Sequence, residues 1–499
     1  MYDCIVIGSG IGGLTSAAIL TQNNLKVLVL EANYLPGGCA SSYPVKINHQ
    51  TFWFETGATT LVGKDVHQPL YNLEKQLNIL LPGEEIAPVM QVHINGKKIT
   101  RFKDRKKWVQ QCYAQFFKDG QVPKSNVAKF WEEMYDLGDF VWQVSGKNKF
   151  FPPLKPKDFL ALIKVNKPSD AYRLRFMFLS LKQRMAHYKL ESNSEFISFC
   201  NEQLRITAQS DIESTSCLYA APCLTYTNIS NYYLYGGIIK LAEVLVEKLQ
   251  TKGGEIRYRT KVISIEKEVG RYKVVTEKGQ VFYSKNVISN ATLWDMADLT
   301  KNRMRSYFQS ISEKYKFSWG AFTMGIALKK VLNPEPPFHH QIHFSSAIEN
   351  IASNSLFVSF SKPDDLNRHP EGCQAISIST HVNPELWLGF SDDYQEKKAL
   401  AAEKILEELA NIYPEFKRED ILIQHVSTPK SWQRWVHRKN GRVGGLPNAF
   451  SKIPIGVPQS RTPFKGLYLV GDTVFPGQGI AGVTLSGELA ANHLLDENH

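Results

Sequence analysis

Three glycines at G-x-G-x-x-G spacing, Gly8, Gly10 and Gly13, with an acid at Glu31, are the residues here best suited to holding a phosphate-bearing ligand. Gly8 permits a tight turn, Gly10 lets the backbone approach a pyrophosphate, and Gly13 lets a helix pack closely on a strand. A helix N-terminus behind them offers unpaired N–H groups and the positive end of its dipole. Glu31 is spaced to accept hydrogen bonds from ribose hydroxyls. The spacing alone is weak evidence; the order of the surrounding elements strengthens it. Cys4–Ile7 is a short apolar run, as in a buried parallel strand. Thr15–Leu20 is small and apolar, as in a helix packed on a sheet. Val27–Leu30 is a second apolar run that ends at Glu31. Strand, glycines, helix, strand and acid in that order predict a dinucleotide site.

Composition bounds the rest. The 499 residues allow two or three domains. A hydrophobic share of 43% with 21% charged residues suits a globular protein with a large core. A net charge of +11 makes nucleic acid and anionic membrane surfaces eligible partners. Seven scattered cysteines without C-x-x-C pairs suit free thiols in a reducing compartment, so a cytoplasmic location is expected. The fingerprint begins next to Met1, so no signal peptide is expected. No apolar run nears the ~18–20 residues of a membrane span, which predicts a chain that is soluble or peripheral on a membrane.

Pro36-Gly37-Gly38 places flexible backbone soon after the ribose acid, and Phe52–Glu55 reads as a strand entering the small-residue turn Gly57-Ala58-Thr59. Something flat could approach that turn; Gly57 also reads as a plain turn glycine. Together, G-S-G-I-G-G-L, E-A-x-x-x-P-G-G and F-E-T-G-A-T resemble the flavoprotein superfamily that includes amine oxidases and phytoene desaturases. The resemblance implies that Gly8, Gly10, Gly13 and Glu31 bind the ADP half of FAD, with Gly37, Gly38, Gly57, Ala58 and Thr59 further along the cofactor. Tyr235-Gly-Gly, a helix with Ile238, Leu241, Leu245 and Leu249 at helical spacing, and the strands around Ile256 and Val262 resemble the second FAD segment. There the backbone near Val262 is implied to meet the adenine, and Ser289-Asn290-Ala291 resembles the strand end that returns toward the cofactor.

Near the C-terminus, Gly466–Asp472 is a strand ending in an acid, and a helix follows from Val483. Gly477, Gly479 and Gly482 mimic a second fingerprint, yet the stretch to His499 leaves no room for the next strand and acid. A single fingerprint argues for bound FAD and against a separate NAD(P)H domain. The resemblance implies that Gly471 and Asp472 meet the ribityl–phosphate region. It also implies that the helix starting near Gly479 and running through Val483 points its N-terminus at the flavin pyrimidine edge, where its dipole would stabilise anionic reduced flavin. No cysteine follows Cys373, so the FAD is expected to be non-covalent.

Two regions leave this pattern. Residues 71–229 alternate helical stretches and loops. Residues 296–424 contain strand-like Ala321–Leu328 and Ala375–Thr380 and a helix over Glu396–Tyr413 stopped by Pro414. The expected fold is α/β: a GR2-like, Rossmann-type FAD-binding domain from 1–70, 230–295 and 425–499, with a discontinuous α+β substrate domain from 71–229 and 296–424. Lys147–Lys189 interleaves basic residues with Phe150, Phe151, Phe159, Leu160, Tyr172 and Phe176, which suits contact with anionic lipid. A solvated basic face over a core helix reads equally well. No nucleic-acid module is recognisable, and no nucleic-acid partner is expected. Tyr219, Tyr226, Tyr232, Tyr233 and Tyr235 line an apolar tunnel or fill plain core. His339, His340 and His343 invite a metal reading, but Pro336 and Pro337 exclude a helix that would align Glu335 with His339, and no metal is expected. A loop near substrate, or surface histidines, is expected instead.

Phe475-Pro-Gly-Gln-Gly-Ile, Thr428-Pro-Lys-Ser-Trp-Gln-Arg-Trp and Arg438–Pro447 resemble carotenoid desaturases, carotenoid isomerases and retinol saturases more than amine oxidases. The implied activity is that of an FAD-dependent oxidoreductase acting on a long apolar polyene, foremost a carotenoid desaturase passing hydride to flavin N5. Quinone or oxygen would reoxidise the flavin. A redox-neutral cis–trans isomerase or a saturase on reduced FAD, and an amine oxidase, are the alternatives. Arg434, His437 and Arg438 are candidates to face flavin or substrate, and structural roles suit them at least as well. No acid–base residue and no oligomeric state is assigned.

Overall fold

The computed structural model describes residues 1–147, 156–165, 167, 170–344, 346–389, 392–447 and 458–498. Two seven-stranded sheets organise them. The first runs Glu255–Arg257, Val27–Leu30, Tyr2–Ile7, Val281–Ser289, Arg271–Thr276, Val262–Glu268, and Leu467–Leu469 also pairs with Val281–Ser289. Its pairs around Tyr2–Ile7 are parallel, and both faces are covered. Side chains alternate accordingly. Cys4, Val6, Val27, Val29 and Ile288 point into a core shared with residues of the helices Ile11–Gln22, Ile239–Thr251 and Ile480–Asn498. Ile5, Ile7, Leu28, Leu30 and Val287 point into a second core under Leu293–Leu299 and Asn302–Lys314. The C-terminal helix crosses the first helix closely: a Cβ on Gly487 would stand 2.4 Å from the Gly12 carbonyl oxygen.

The second sheet runs Ile421–Ser427, Gly320–Leu328, Gln374–Val382, Ser355–Phe360, His339–His343, Met90–Ile94, Lys97–Arg101. Period-two patterning splits its faces. Phe322, Met324, Leu356, Val358 and Ile378 pack on Ala401, Ile405 and Leu409 of the helix Tyr394–Ile412. The opposite face carries small and hydroxylated residues, and the hairpin Ser42–Ile47 with Gln50–Glu55 lies over part of it. Gly325 makes room there, because a Cβ would sit 2.7 Å from the Phe54 ring. The strand Ile421–Ser427 pairs with Gly320–Leu328, so the boundary expected at 425 falls inside a strand of this sheet. Residues 71–229 add a helical body around Trp108, Trp131, Phe196 and Phe199.

The three histidines correct another expectation. His339–His343 is an inner strand, neither loop nor surface. His339 contacts Ser359 Oγ at 2.9 Å through Nδ1 and Thr60 Oγ1 at 3.2 Å through Nε2, and His340 Nδ1 meets His93 Nε2 at 3.0 Å. Burial pushes His339 and His343 down to about 4 and His340 to about 3. Among the described residues no group of three or more potential metal ligands assembles.

Phe150, Phe151 and Lys155 lie outside the described residues. The helix Pro156–Val165 is pinned by a buried ion pair, Asp158 Oδ2 to Arg461 Nη2 at 2.7 Å. Its Phe159, Leu160 and Ile163 are 54%, 60% and 73% exposed. Among the described residues no helix is long and apolar enough to cross a membrane.

Glu488, buried in the C-terminal helix, has an Oε1 without a hydrogen-bond partner, and burial pushes its carboxyl from 4.5 up to about 8. A carboxyl raised on folding contributes stability that is complete below its unfolded value and is lost as pH rises through its folded value. Wild-type stability should therefore fall by about 1.4 kcal/mol per pH unit from this group between 4.5 and 8. Glu488→Gln should remove that slope, so the variant's gain in urea midpoint should be larger at pH 8 than at pH 5. Parallel pH profiles for the two proteins would refute this.

Candidate active site

One cavity of about 960 Å³ runs between the two sheets. Its first half is built at the carboxyl ends of parallel strands, where an open α/β sheet leaves a crevice for ligands. Gly8 and Gly10 follow Tyr2–Ile7, Glu31 follows Val27–Leu30, Asn290 follows Val281–Ser289, and Gly471 and Asp472 follow Leu467–Leu469; all line the cavity. So do Gly37, Gly38, Gly57, Ala58, Thr59, Val262, Gly479 and Val483. Gly13 does not. A Cβ there would stand 2.4 Å from the Gly8 carbonyl oxygen, so its role is the close contact of helix and loop.

Side chains are excluded from this half by contact. A Cβ on Gly10 would meet Asn290 Nδ2 at 2.2 Å, and one on Gly12 the Val483 carbonyl at 3.0 Å. Gly57 faces the Trp432 ring at 3.1 Å in the same sense. Gly10 precedes the helix Ile11–Gln22 with no side-chain cap, leaving the N-terminal backbone donors without a side-chain acceptor. Glu31 accepts from Ser9 N at 2.7 Å and Ser9 Oγ at 2.6 Å on one oxygen and from Asn33 N at 2.7 Å on the other. These bonds orient the carboxylate and leave lone pairs over. Asn290 Oδ1 is buried without a partner beside Gly12 and Gly471. An orphan acceptor in a cradle stripped of side chains suits a hydroxylated, phosphate-bearing chain, and FAD fits it.

Arg438 reaches across this half. Its Nη2 donates to both Asp472 oxygens, at 2.9 and 2.8 Å, its Nε to the Arg442 carbonyl at 2.6 Å, and its Nη1 lies 3.6 Å from Cys39 Sγ. Burial opposes the Arg438 charge; Asp472 outweighs it and holds the guanidinium above its ordinary range. His437 also lines the cavity, in a left-handed conformation with φ 55° that closes the helix Pro429–Val436. Arg434 does not line it. It is exposed and stacks on Trp435 at 5.3 Å, because the helix turns it away from the cavity side where Trp432 sits.

The second half is a chamber. Val141, Trp142, Ile206 and Pro222 form its helical side, and Ala321, Thr323, Ser355, Phe357, Ser379 and His381 form the sheet side. Alternation explains the latter, since these positions are out of phase with Phe322, Leu356 and Ile378 in the core beneath. No Asp, Glu, Lys or Arg side chain lines this half among the described residues. Tyr219 and Tyr226 line it, whereas Tyr233 and Tyr235 bond Asp365 and Asp364 elsewhere. Sequence reasoning missed Gln209, His381 and Gln478 at the junction of the halves. His381 was readable by counting alternate positions from Ser377 along its strand. Gln209, a helix C-cap at φ 56°, carried no signal.

The chain is 29% identical over 515 aligned residues to the chloroplastic prolycopene isomerase of Daucus carota, covering 99% of this chain and 80% of that one. It is 24% identical over 523 residues to the 4,4′-diapophytoene desaturase (4,4′-diapolycopene-forming) of a Methylomonas species, covering 99% and 95%. The crystal structure of an oxidoreductase from Methanosarcina mazei shares the fold with a TM-score of 0.65 at 17% identity, covering 97% of this chain and 98% of that one. Residues 11–495 match the family of flavin containing amine oxidoreductases. That match spans nearly the whole chain and takes in Glu31, Gly37, Gly38, Gly471 and Asp472 of the cradle, and the chain accordingly belongs to this family and is an FAD-dependent oxidoreductase.

Proposed function

We propose that the enzyme acts on a long apolar polyene of the carotenoid class, foremost as a desaturase. The observation that carries this is a single cavity in which the cofactor cradle opens into a chamber without charged side chains among the described residues. A cationic amine taken into such a chamber would lose hydration with no carboxylate to offset it, whereas a polyene carries no charge to desolvate. In this reading Gly8, Gly10, Glu31 and the Val262 backbone hold the ADP half, and Gly13 keeps helix and strand together. Gly37, Gly38, Gly57, Ala58 and Thr59 lie along the middle of the cofactor, and Gly471 and Asp472 meet the ribityl chain. Gly479 and Val483 turn the N-terminus of the helix Ile480–Asn498 toward the ring. When bound, FAD supplies the hydride acceptor, with quinone or oxygen as the final oxidant. The chain's own part is to seat the polyene between Phe357 and Pro222 and to exclude water.

A redox-neutral isomerase on reduced FAD is the second reading, favoured by the higher identity to the carrot prolycopene isomerase than to the desaturase, 29% against 24%. Expression in bacteria that accumulate phytoene, lycopene or poly-cis carotenes decides between them by pigment chromatography and mass. Loss of hydrogens supports the desaturase, and unchanged mass with altered geometry supports the isomerase. No new pigment in any strain refutes both.

The bilayer is the substrate's reservoir, and the exposed Phe159, Leu160 and Ile163, flanked by Lys164 and Lys167, dock there on anionic lipid. Phe159→Ser with Ile163→Ser should weaken sedimentation with phosphatidylglycerol vesicles by about tenfold or more, given roughly 1.5–3 kcal/mol for full burial of each side chain. Equal sedimentation of variant and wild type would sink the docking face.

A further inference from the structure

His381 stands where the cradle meets the chamber, and its neighbours settle where its proton lies. Gln478 Nε2 donates to the Ile206 carbonyl at 2.8 Å, so Gln478 turns its Oε1 toward Gln209. Only Gln209 Nε2 can donate to that oxygen, at 3.1 Å. The same amide nitrogen lies 3.3 Å from His381 Nε2 and 3.5 Å from the Arg205 carbonyl; an amide nitrogen has no lone pair to offer, so at the shorter of these two contacts His381 Nε2 accepts. Burial holds the imidazole neutral, so its one proton is on Nδ1. No hydrogen bond to Nδ1 forms among the described residues. Gly444 keeps Gln209 in place, since a Cβ there would stand 2.1 Å from its Nε2. Gln209 itself is 4% exposed, and its Oε1 is buried without a partner.

This arrangement makes His381 a donor and denies it the role of base, because Gln209 caps its only lone pair. Beside it on the same sheet face stand hydroxyls set by register: Ala321 pairs with His381, Thr323 with Ser379, and Ser379 with Phe357. Ser353 and Ser355 donate their hydroxyl protons to the buried Glu202, and their oxygens accept from Ser355 N at 3.3 Å and Gln341 Nε2 at 3.4 Å, so both hydroxyls are already paired within the protein. The Nδ1–H of His381 is thus the donor on this wall that a pure hydrocarbon would cover without satisfying, at the cost of a desolvated polar group.

We propose that the polyene taken by this chamber is oxygenated, and that His381 Nδ1–H donates to its hydroxyl or carbonyl oxygen. The proposal rests on the polyene reading above and narrows it. His381 is then a specificity residue, and it acts as a neutral hydrogen-bond donor.

The test uses the holoenzyme in detergent micelles, titrated with lycopene and with its terminal aldehyde, with the flavin absorbance as readout. The wild type should bind the aldehyde about tenfold more tightly or better, as a matched hydrogen bond to an otherwise unpaired buried donor allows. His381→Phe should abolish the preference, His381→Asn should restore part of it, and Gln209→Leu should weaken it. Equal binding of the two polyenes by the wild type overturns the proposal, as does an undiminished preference in His381→Phe. A changed flavin spectrum or potential in ligand-free His381→Phe with the preference intact assigns the donor to the cofactor and likewise overturns it. If neither polyene perturbs the flavin of the wild type, the polyene reading itself fails, and this inference with it.

Discussion

An Arg438→Met protein should emerge from purification nearly colourless. The guanidinium is the partner of Asp472 inside the cofactor half of the cavity, with side chains only 12% and 14% exposed. Removing one member of a buried ion pair typically costs about 3–5 kcal/mol, because the other charge is left without compensation. Here the orphan would be a carboxylate facing a phosphate-bearing ligand, so repulsion adds to desolvation. Occupancy should fall from the flavin band relative to the protein band, and thermal stability should fall with it, because bound ligand stabilises the folded state by mass action. Arg438→Met combined with Asp472→Asn should regain part of the stability by removing the orphan charge. A single variant with wild-type flavin content would show that the pair serves the cofactor site in no essential way.

Arg368→Met should lose a similar 3–5 kcal/mol without touching the cavity. Arg368 and Glu55 meet at 3.2 Å with side chains 2% and 4% exposed. Glu55 also accepts from Ser42 Oγ at 2.6 Å and from Ile238 N at 3.1 Å, and Arg368 donates to the Trp53 carbonyl at 3.3 Å. One ion pair therefore ties the Ser42–Glu55 hairpin, the start of the helix Ile239–Thr251 and the loop before the strand Gln374–Val382. Urea unfolding should show the loss, and Arg368→Met with Glu55→Gln should recover most of it. A single-variant loss below about 1 kcal/mol, the range of exposed pairs, would remove this pair from the account of what joins the domains.

The cradle was legible because its physics is local. Gly8, Gly10, Glu31, Gly471 and Asp472 occupy turns at strand ends, and a turn's backbone demands can be read from a few adjacent residues. The chamber was not, because its wall is a period-two pattern shared by strands distant in sequence. Thr323, Ser379 and Phe357 become neighbours only through register. That residue 425 lies within a strand was hidden for the same reason, since the place of Ile421–Ser427 is set by its pairing with Gly320–Leu328. The histidines misled because their strand is buried on both faces, where polar residues mimic a loop. Arg438 was singled out by type and neighbourhood, but its bond to Asp472 spans 34 residues of chain and left no trace in local spacing.

The strand order also sets a timetable for biosynthesis. Tyr2–Ile7 finds Val27–Leu30 at once, but its other neighbour, Val281–Ser289, is made about 280 residues later. At roughly 5–20 residues per second, that is a wait of roughly 15–60 s with an unpaired parallel edge. Leu467–Leu469 arrives later still and completes the strand end that carries Gly471 and Asp472. Each molecule must therefore pass through a stage without its cofactor, and flavin loading follows translation instead of accompanying it. The supply of FAD and of chaperones in the host, acting after the ribosome has finished, then governs how much active enzyme a cell obtains.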